Sequence, residues 1–76
     1  MRAVIQFQSG NAYIVSASLN GDVLSTRAQN RGQFIDHGHE LGEWEVFVRL
    51  EDGREFIGEY FNHTDLIGEV TNLRPV

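Results

Sequence analysis

The sequence predicts an all-β fold. We expect a small, strongly bent antiparallel sheet of five or six strands, a three-strand meander followed by a hairpin, closing as a half-open barrel or two-layer roll. Three observations carry that expectation. Residues 2–29 alternate apolar and polar side chains with a period of two, broken only at Ser9-Gly10-Asn11 and Asn20-Gly21. Residues 44–61 alternate again about Glu51-Asp52-Gly53. A helical spacing of apolar residues is found only between 64 and 73, where it competes with a strand.

The first strand covers residues 2–8, with Ala3, Ile5 and Phe7 on one face. The second covers 12–19, with Tyr13, Val15, Ala17 and Leu19 on one side. A three-residue loop at Ser9-Gly10-Asn11 sets Phe7 opposite Tyr13, Ile5 opposite Val15 and Ala3 opposite Ala17. Asn20-Gly21 suits a two-residue type I′ turn, because both residues tolerate a positive φ. That turn pairs Ala17 with Leu24, Val15 with Thr26 and Tyr13 with Ala28. One apolar face then runs unbroken through three strands. The other face is polar and weakly charged, and such a sheet can accept a second strand edge.

Residues 30–43 lose the pattern, punctuated by Asn30, Gly32, Gly38 and Gly42, and read as a long connection. Phe34 and Ile35 would tuck it against the core. The hairpin Trp44–Phe61 admits two registers. A type I′ turn on Asp52-Gly53 would break the apolar face with carboxylates. A three-residue loop with Gly53 left-handed in a bulge instead pairs Leu50 with Arg54, Val48 with Phe56, Val46 with Gly58 and Trp44 with Tyr60. A one-residue slip turns every side chain over, so the uninterrupted face selects the bulged register. Its opposite face then holds Glu45–Glu59, Phe47–Ile57 and Arg49–Glu55, with Phe61 and Glu43 nearby. Beyond it, Thr64 or Asp65 could cap a short helical turn, with Leu66, Ile67, Val70 and Leu73 as its stripe. Gly68 and the β-branched Val70 and Thr71 argue for a sixth strand instead.

The 76 residues make one domain, 1–76, too short to bury more than about 60% of its unfolded surface. There is no cysteine, hence no disulfide framework and no thiolate metal site. No leader and no membrane-spanning apolar run is read, so a cytoplasmic protein is expected, in the host cytoplasm if it is viral. Charge is divided unevenly. Residues 1–34 carry three arginines and one acid, net +2, while residues 35–76 carry ten acids and three arginines, net −7. Lysine is absent. Such a chain is poorly suited to gripping a phosphate backbone and better suited to a basic protein partner.

Little here supports catalysis. The serines lack a nucleophile-elbow pattern, the glycines are scattered singly, and no cofactor is called for. Asp36-His37-Gly38-His39-Glu40 is the one ligand-like cluster, and His37 and His39 could recruit His63 into a divalent-metal site or small enzyme. The leading expectation is a non-enzymatic binding protein. Its contact surface would be Asp36, Glu40, Glu43, Glu45 and Glu59 around the apolar anchors Phe47, Ile57 and Phe61, docking on a basic protein that itself binds nucleic acid. Small acidic phage-encoded inhibitors, including anti-CRISPR and anti-restriction proteins, are similar in physical profile. An oligomeric structural or RNA-binding module, built by edge pairing of the meander, is the further alternative.

Overall fold

The computed structural model describes residues 1–30 and 44–76. Six strands form: β1 (Arg2–Phe7), β2 (Ala12–Asn20), β3 (Val23–Ala28), β4 (Glu45–Leu50), β5 (Glu55–Asn62) and β6 (Ile67–Pro75). They close into an antiparallel barrel in the order β1-β2-β3-β6-β5-β4, with β4 back beside β1. The run β4-β1-β2-β3 is a Greek key, and the β5–β6 hairpin fills the gap between β3 and β4. The expected all-β architecture is therefore present, and its closure is complete.

Alternation explains which side chains meet inside. Closure sets Ala3 against Leu50, Ile5 against Val48 and Phe7 against Val46 across β1 and β4. The β3–β6 seam sets Leu24 against Val70 and Thr26 against Gly68. Val15, Ala17, Ala28 and Tyr60 complete the buried core, with Tyr13, Leu19, Phe56 and Leu73 packed against it. Each large aliphatic or aromatic side chain removed from water in this way contributes roughly 1.5–3 kcal/mol. At one end Phe7 meets Tyr13 and Tyr60 edge-to-face, with ring centroids 6.0 and 5.8 Å apart. Trp44 takes its expected register, its carbonyl accepting the Tyr60 N–H at 2.7 Å, but stands at the barrel rim and is 38% exposed.

The β4–β5 hairpin adopts the bulged register throughout, from Arg49↔Glu55 to Glu45↔Glu59. Leu50 N–H donates to the Arg54 carbonyl at 2.9 Å, and Gly53 has the left-handed φ of 94° that the loop requires. The two meander turns differ from expectation by one residue each. The first loop is Gln8-Ser9-Gly10, closed by Phe7 N–H to the Asn11 carbonyl at 2.9 Å, so Ile5 faces Tyr13 and Ala3 faces Val15. The second is Gly21-Asp22, flanked by Asn20↔Val23, with a positive φ of 62° at Gly21. Positive φ at the first central residue alone marks a type II′ turn rather than I′. Each correction moves the cross-strand partner by two residues, so every side chain keeps its face.

The C-terminal segment is a strand and not a helical turn. Thr64 Oγ1 accepts the N–H groups of Leu66 and Ile67 at 3.1 and 2.9 Å, which tightens the β5–β6 turn. Ile67 to Val70 pairs with β3, and Gly68 to Pro75 pairs with β5, backbone groups that a lone helical turn would leave without these partners. Opposite Gly58 the register slips, and Asn72 is left-handed with φ 54°. Gly58 permits this close passage, since a Cβ there would lie 2.6 Å from Val70 Cγ1 and 2.8 Å from the Thr71 carbonyl oxygen. All six strands have neighbours on both sides, so the edge-pairing route to an oligomer finds no open edge among the described residues. Among the described residues no helix is long and apolar enough to cross a membrane.

Candidate functional site

Period-two alternation places Glu45, Phe47 and Arg49 on the outside of β4, and Glu55, Ile57, Glu59 and Phe61 on the outside of β5. Phe47 and Ile57 lie directly opposite each other, and Glu45 and Glu59 form the next outward pair. Both apolar side chains are half-buried. Gln6 of β1 borders Phe47 on one side, and Arg74 of β6 borders Ile57 on the other. Phe47 and Ile57 floor a shallow groove of about 160 Å³, walled by Gln6, Gln8 and Glu45. Phe61 is half exposed but stands apart. It faces Glu69 across the β5–β6 ladder and meets the His63 ring edge-on at 5.1 Å, four residues from Ile57 along the strand. Asp36, Glu40 and Glu43 lie outside the described residues.

A residue overlooked in the sequence, Arg74, stands at the border of this face and ties its acids together. The register slip in β6 aims both Asn72 and Arg74 at β5. Arg74 Nη1 lies 3.4 Å from Glu59 Oε2, and Nη2 lies 3.7 Å from Glu45 Oε2. Asn72 Nδ2 donates to Glu59 Oε1 at 3.3 Å, and its own carbonyl accepts from Arg74 Nη1 at 3.2 Å. The two facing carboxylates thus share one guanidinium, which relieves the repulsion expected between like charges directly opposite on a sheet. Only the register of β6 could have disclosed this.

Neighbouring acids are matched in the same way. Arg49 pairs with Glu55 at 2.9 Å, which bears out the expected cross-strand contact. Arg54 reaches Asp52 at 2.8 Å, and the hydrogen bond from the Arg54 backbone N–H holds the Asp52 carboxyl below the usual carboxylate range. His63 Nε2 contacts Glu69 Oε1. The acidic surface is therefore rich in carboxylates but laced with arginine. Residues 44–76 still carry seven acids against three arginines, a net of −4.

For metal chemistry, His37 and His39 lie outside the described residues, while His63 is engaged by Glu69 and Phe61. No group of three metal-ligating side chains gathers among the described residues. Inside the barrel, burial pushes the Tyr60 hydroxyl up to about 12. The nearby Thr26 hydroxyl opposes that rise but is itself buried without meeting hydrogen-bond geometry. Comparison with protein-family models, curated proteins and solved structures finds no match to this chain.

Proposed function

We propose that this chain is a non-enzymatic protein-binding module that docks the outer face of β4 and β5 on a basic protein. The supporting observation is the Phe47–Ile57 pair, half-buried in a groove on the outer sheet face and flanked by Glu45 and Glu59. Apolar ground with a charged rim is the composition of a contact site. Phe47 supplies the apolar anchor, Ile57 widens it, and Glu45 and Glu59 select a cationic partner. Arg74 raises the threshold for binding, because a partner's guanidinium must either displace it or add to the cluster.

The partner class we favour is a nucleic-acid-binding protein, whose cationic groove an acidic strip can enter. A small inhibitor of the phage type, of the anti-CRISPR or anti-restriction kind, would work by occupying that groove. The chain would then act in the cytoplasm alongside its partner, and its freedom from cysteine suits a reducing compartment.

The test is affinity capture with the wild-type protein and with the triple variant Glu45→Gln, Phe47→Ala, Glu59→Gln. The expected result is a basic nucleic-acid-binding protein retained by the wild type, lost by the variant and released from its nucleic acid on binding. Equal recovery by both proteins would remove this face from consideration.

A further inference from the structure

The five arginines among the described residues fall into two groups. Arg49, Arg54 and Arg74 each lie within 3.4 Å of a carboxylate oxygen. Arg2 and Arg27 have no carboxylate partner among the described residues, and both are exposed. These two share one row of the sheet, because Arg2 of β1 stands opposite Ser16 of β2, and Ser16 stands opposite Arg27 of β3. Two inter-strand spacings separate them, about 10 Å. The short Ser16 side chain leaves a gap between the guanidinium groups.

The surroundings favour an anionic ligand. The outward positions of β1, β2 and β3 include no Asp or Glu, although the chain has eleven acids. Ile14 is 47% exposed beside the row and stands opposite Val4, which supplies apolar ground next to the charge. Shallow grooves flank the row, one of about 280 Å³ along Arg2, Val4, Ile14 and Arg49 with Glu51 of the β4–β5 turn at its end, the other of about 330 Å³ along Ser16, Ser25, Arg27 and Ile67. In a chain of net charge −5, three strands with no outward acid and two arginines unmatched among the described residues are a local reversal of sign.

We propose that the outer face of β1–β2–β3 binds an acidic segment of a partner protein. Arg2 and Arg27 each take one carboxylate, and Ile14, beside their row, takes an apolar side chain from the flank of the same segment. A guanidinium presents a planar fork of donors that a carboxylate matches with two parallel hydrogen bonds. The spacing of about 10 Å equals that of positions i and i+7 on a helix, whose i+3 and i+4 side chains then lie over Ser16, with Ile14 to one side two residues along β2. A nucleic acid fits less well. Phosphate-backbone affinity grows with the number of cations engaged, and two against a net negative chain contribute little. These outward positions also hold no aromatic ring on which a base could stack. The face adjoins the β4–β5 surface along the β1–β4 seam, where Val4 stands opposite Arg49 and Gln6 opposite Phe47, but Arg2 and Arg27 lie outside the groove floored by Phe47 and Ile57.

The experiment is an amide chemical-shift titration of the full chain with two probes. One is a helical peptide with glutamates seven residues apart and a leucine between them, and the other is a single-stranded thymidine decamer. The expected outcome is salt-sensitive peptide binding that shifts Arg2, Ile14, Ser16 and Arg27 and weakens at least ten-fold in the Arg2→Gln, Arg27→Gln double variant. The Arg54→Gln control, at a guanidinium already matched by Asp52, should bind the peptide as the wild type does. Absence of peptide shifts, shifts confined to another face, or undiminished binding by the double variant would overturn the proposal. Tighter binding of the decamer than of the peptide would overturn it too, assigning the row to nucleic acid.

Discussion

Arg74 reaches across the β5–β6 seam to within 3.4 Å of Glu59, whose carboxylate faces that of Glu45 on the next strand. One cation therefore balances two anions that alternation alone would leave in repulsion. All three side chains are roughly half exposed, so the pairing is worth little in isolation, on the order of 0.5–1 kcal/mol. We expect Arg74→Ala to lower unfolding free energy by that amount at low salt, and less at high salt. Adding Glu59→Gln in the same background should recover most of the loss, because it removes the repulsion. Urea melts of the two variants at two ionic strengths check this.

Gly58 is the position that lets β6 carry its extra residue. A Cβ there meets Val70 Cγ1 at 2.6 Å, the Thr71 carbonyl oxygen at 2.8 Å and Leu73 Cδ2 at 3.2 Å. The carbonyl belongs to the backbone and cannot swing aside. Gly58→Ala should cost roughly 1–3 kcal/mol, the usual penalty of overpacking. It should also disturb Asn72 and Arg74 through the slipped register. A melting temperature within 2 °C of the wild type would show that the barrel tolerates crowding there.

The faces of the strands were legible because a period of two survives small mistakes in turn placement. Gly53 correctly marked the last residue of the β4–β5 loop, since that position needs a left-handed backbone. The same rule applies at Gly10, whose φ is 98°, and would have centred the first loop on Ser9. Reading Gly10 as the middle residue instead moved the partner by two, leaving Ile5 and Val15 inside all the same. Barrel closure was visible only as a need for two apolar faces to meet. The Arg74 contact was hidden because it depends on where β6 slips, and a single Asn72 in a left-handed conformation leaves no periodic signal. Of the acids expected on the contact surface, Glu45 and Glu59 do lie together beside Phe47 and Ile57, because strand parity determines that much. Phe61 shares their parity but stands four residues along β5, a distance that alternation does not reveal.

The β2–β3 turn offers a direct comparison of two neighbouring residues. Gly21 has φ 62° and stands first in the loop, whereas Asn20 belongs to the ladder opposite Val23. Gly21→Ala should destabilise by about 1 kcal/mol or more, because an L side chain is strained at positive φ. Asn20→Ala should stay within about 0.5 kcal/mol, as an exposed strand position without special backbone demands. If Asn20→Ala were the costlier change, the turn would be centred on Asn20-Gly21 after all. Chemical denaturation of both single variants decides the matter.

Tyr60 gives the barrel an alkaline limit. Its side chain is 2% exposed, with a Cβ-free Gly68 beside its ring to make room for it. Burial raises the phenol to about 12, above the value of about 10 that it takes once unfolded. Between those values the folded state holds a proton that the unfolded chain releases. The stabilisation is therefore complete below pH 10 and is lost as pH climbs through 12, amounting to roughly 2 kcal/mol over the window. Tyr60→Phe has no proton to lose and should flatten this part of the pH–stability profile. Its core packing should persist, since only the hydroxyl near Thr26 is removed. Denaturation midpoints between pH 9 and 12, with phenolate absorbance followed in parallel, measure both effects. An equal alkaline decline in Tyr60→Phe would show that another group sets the limit.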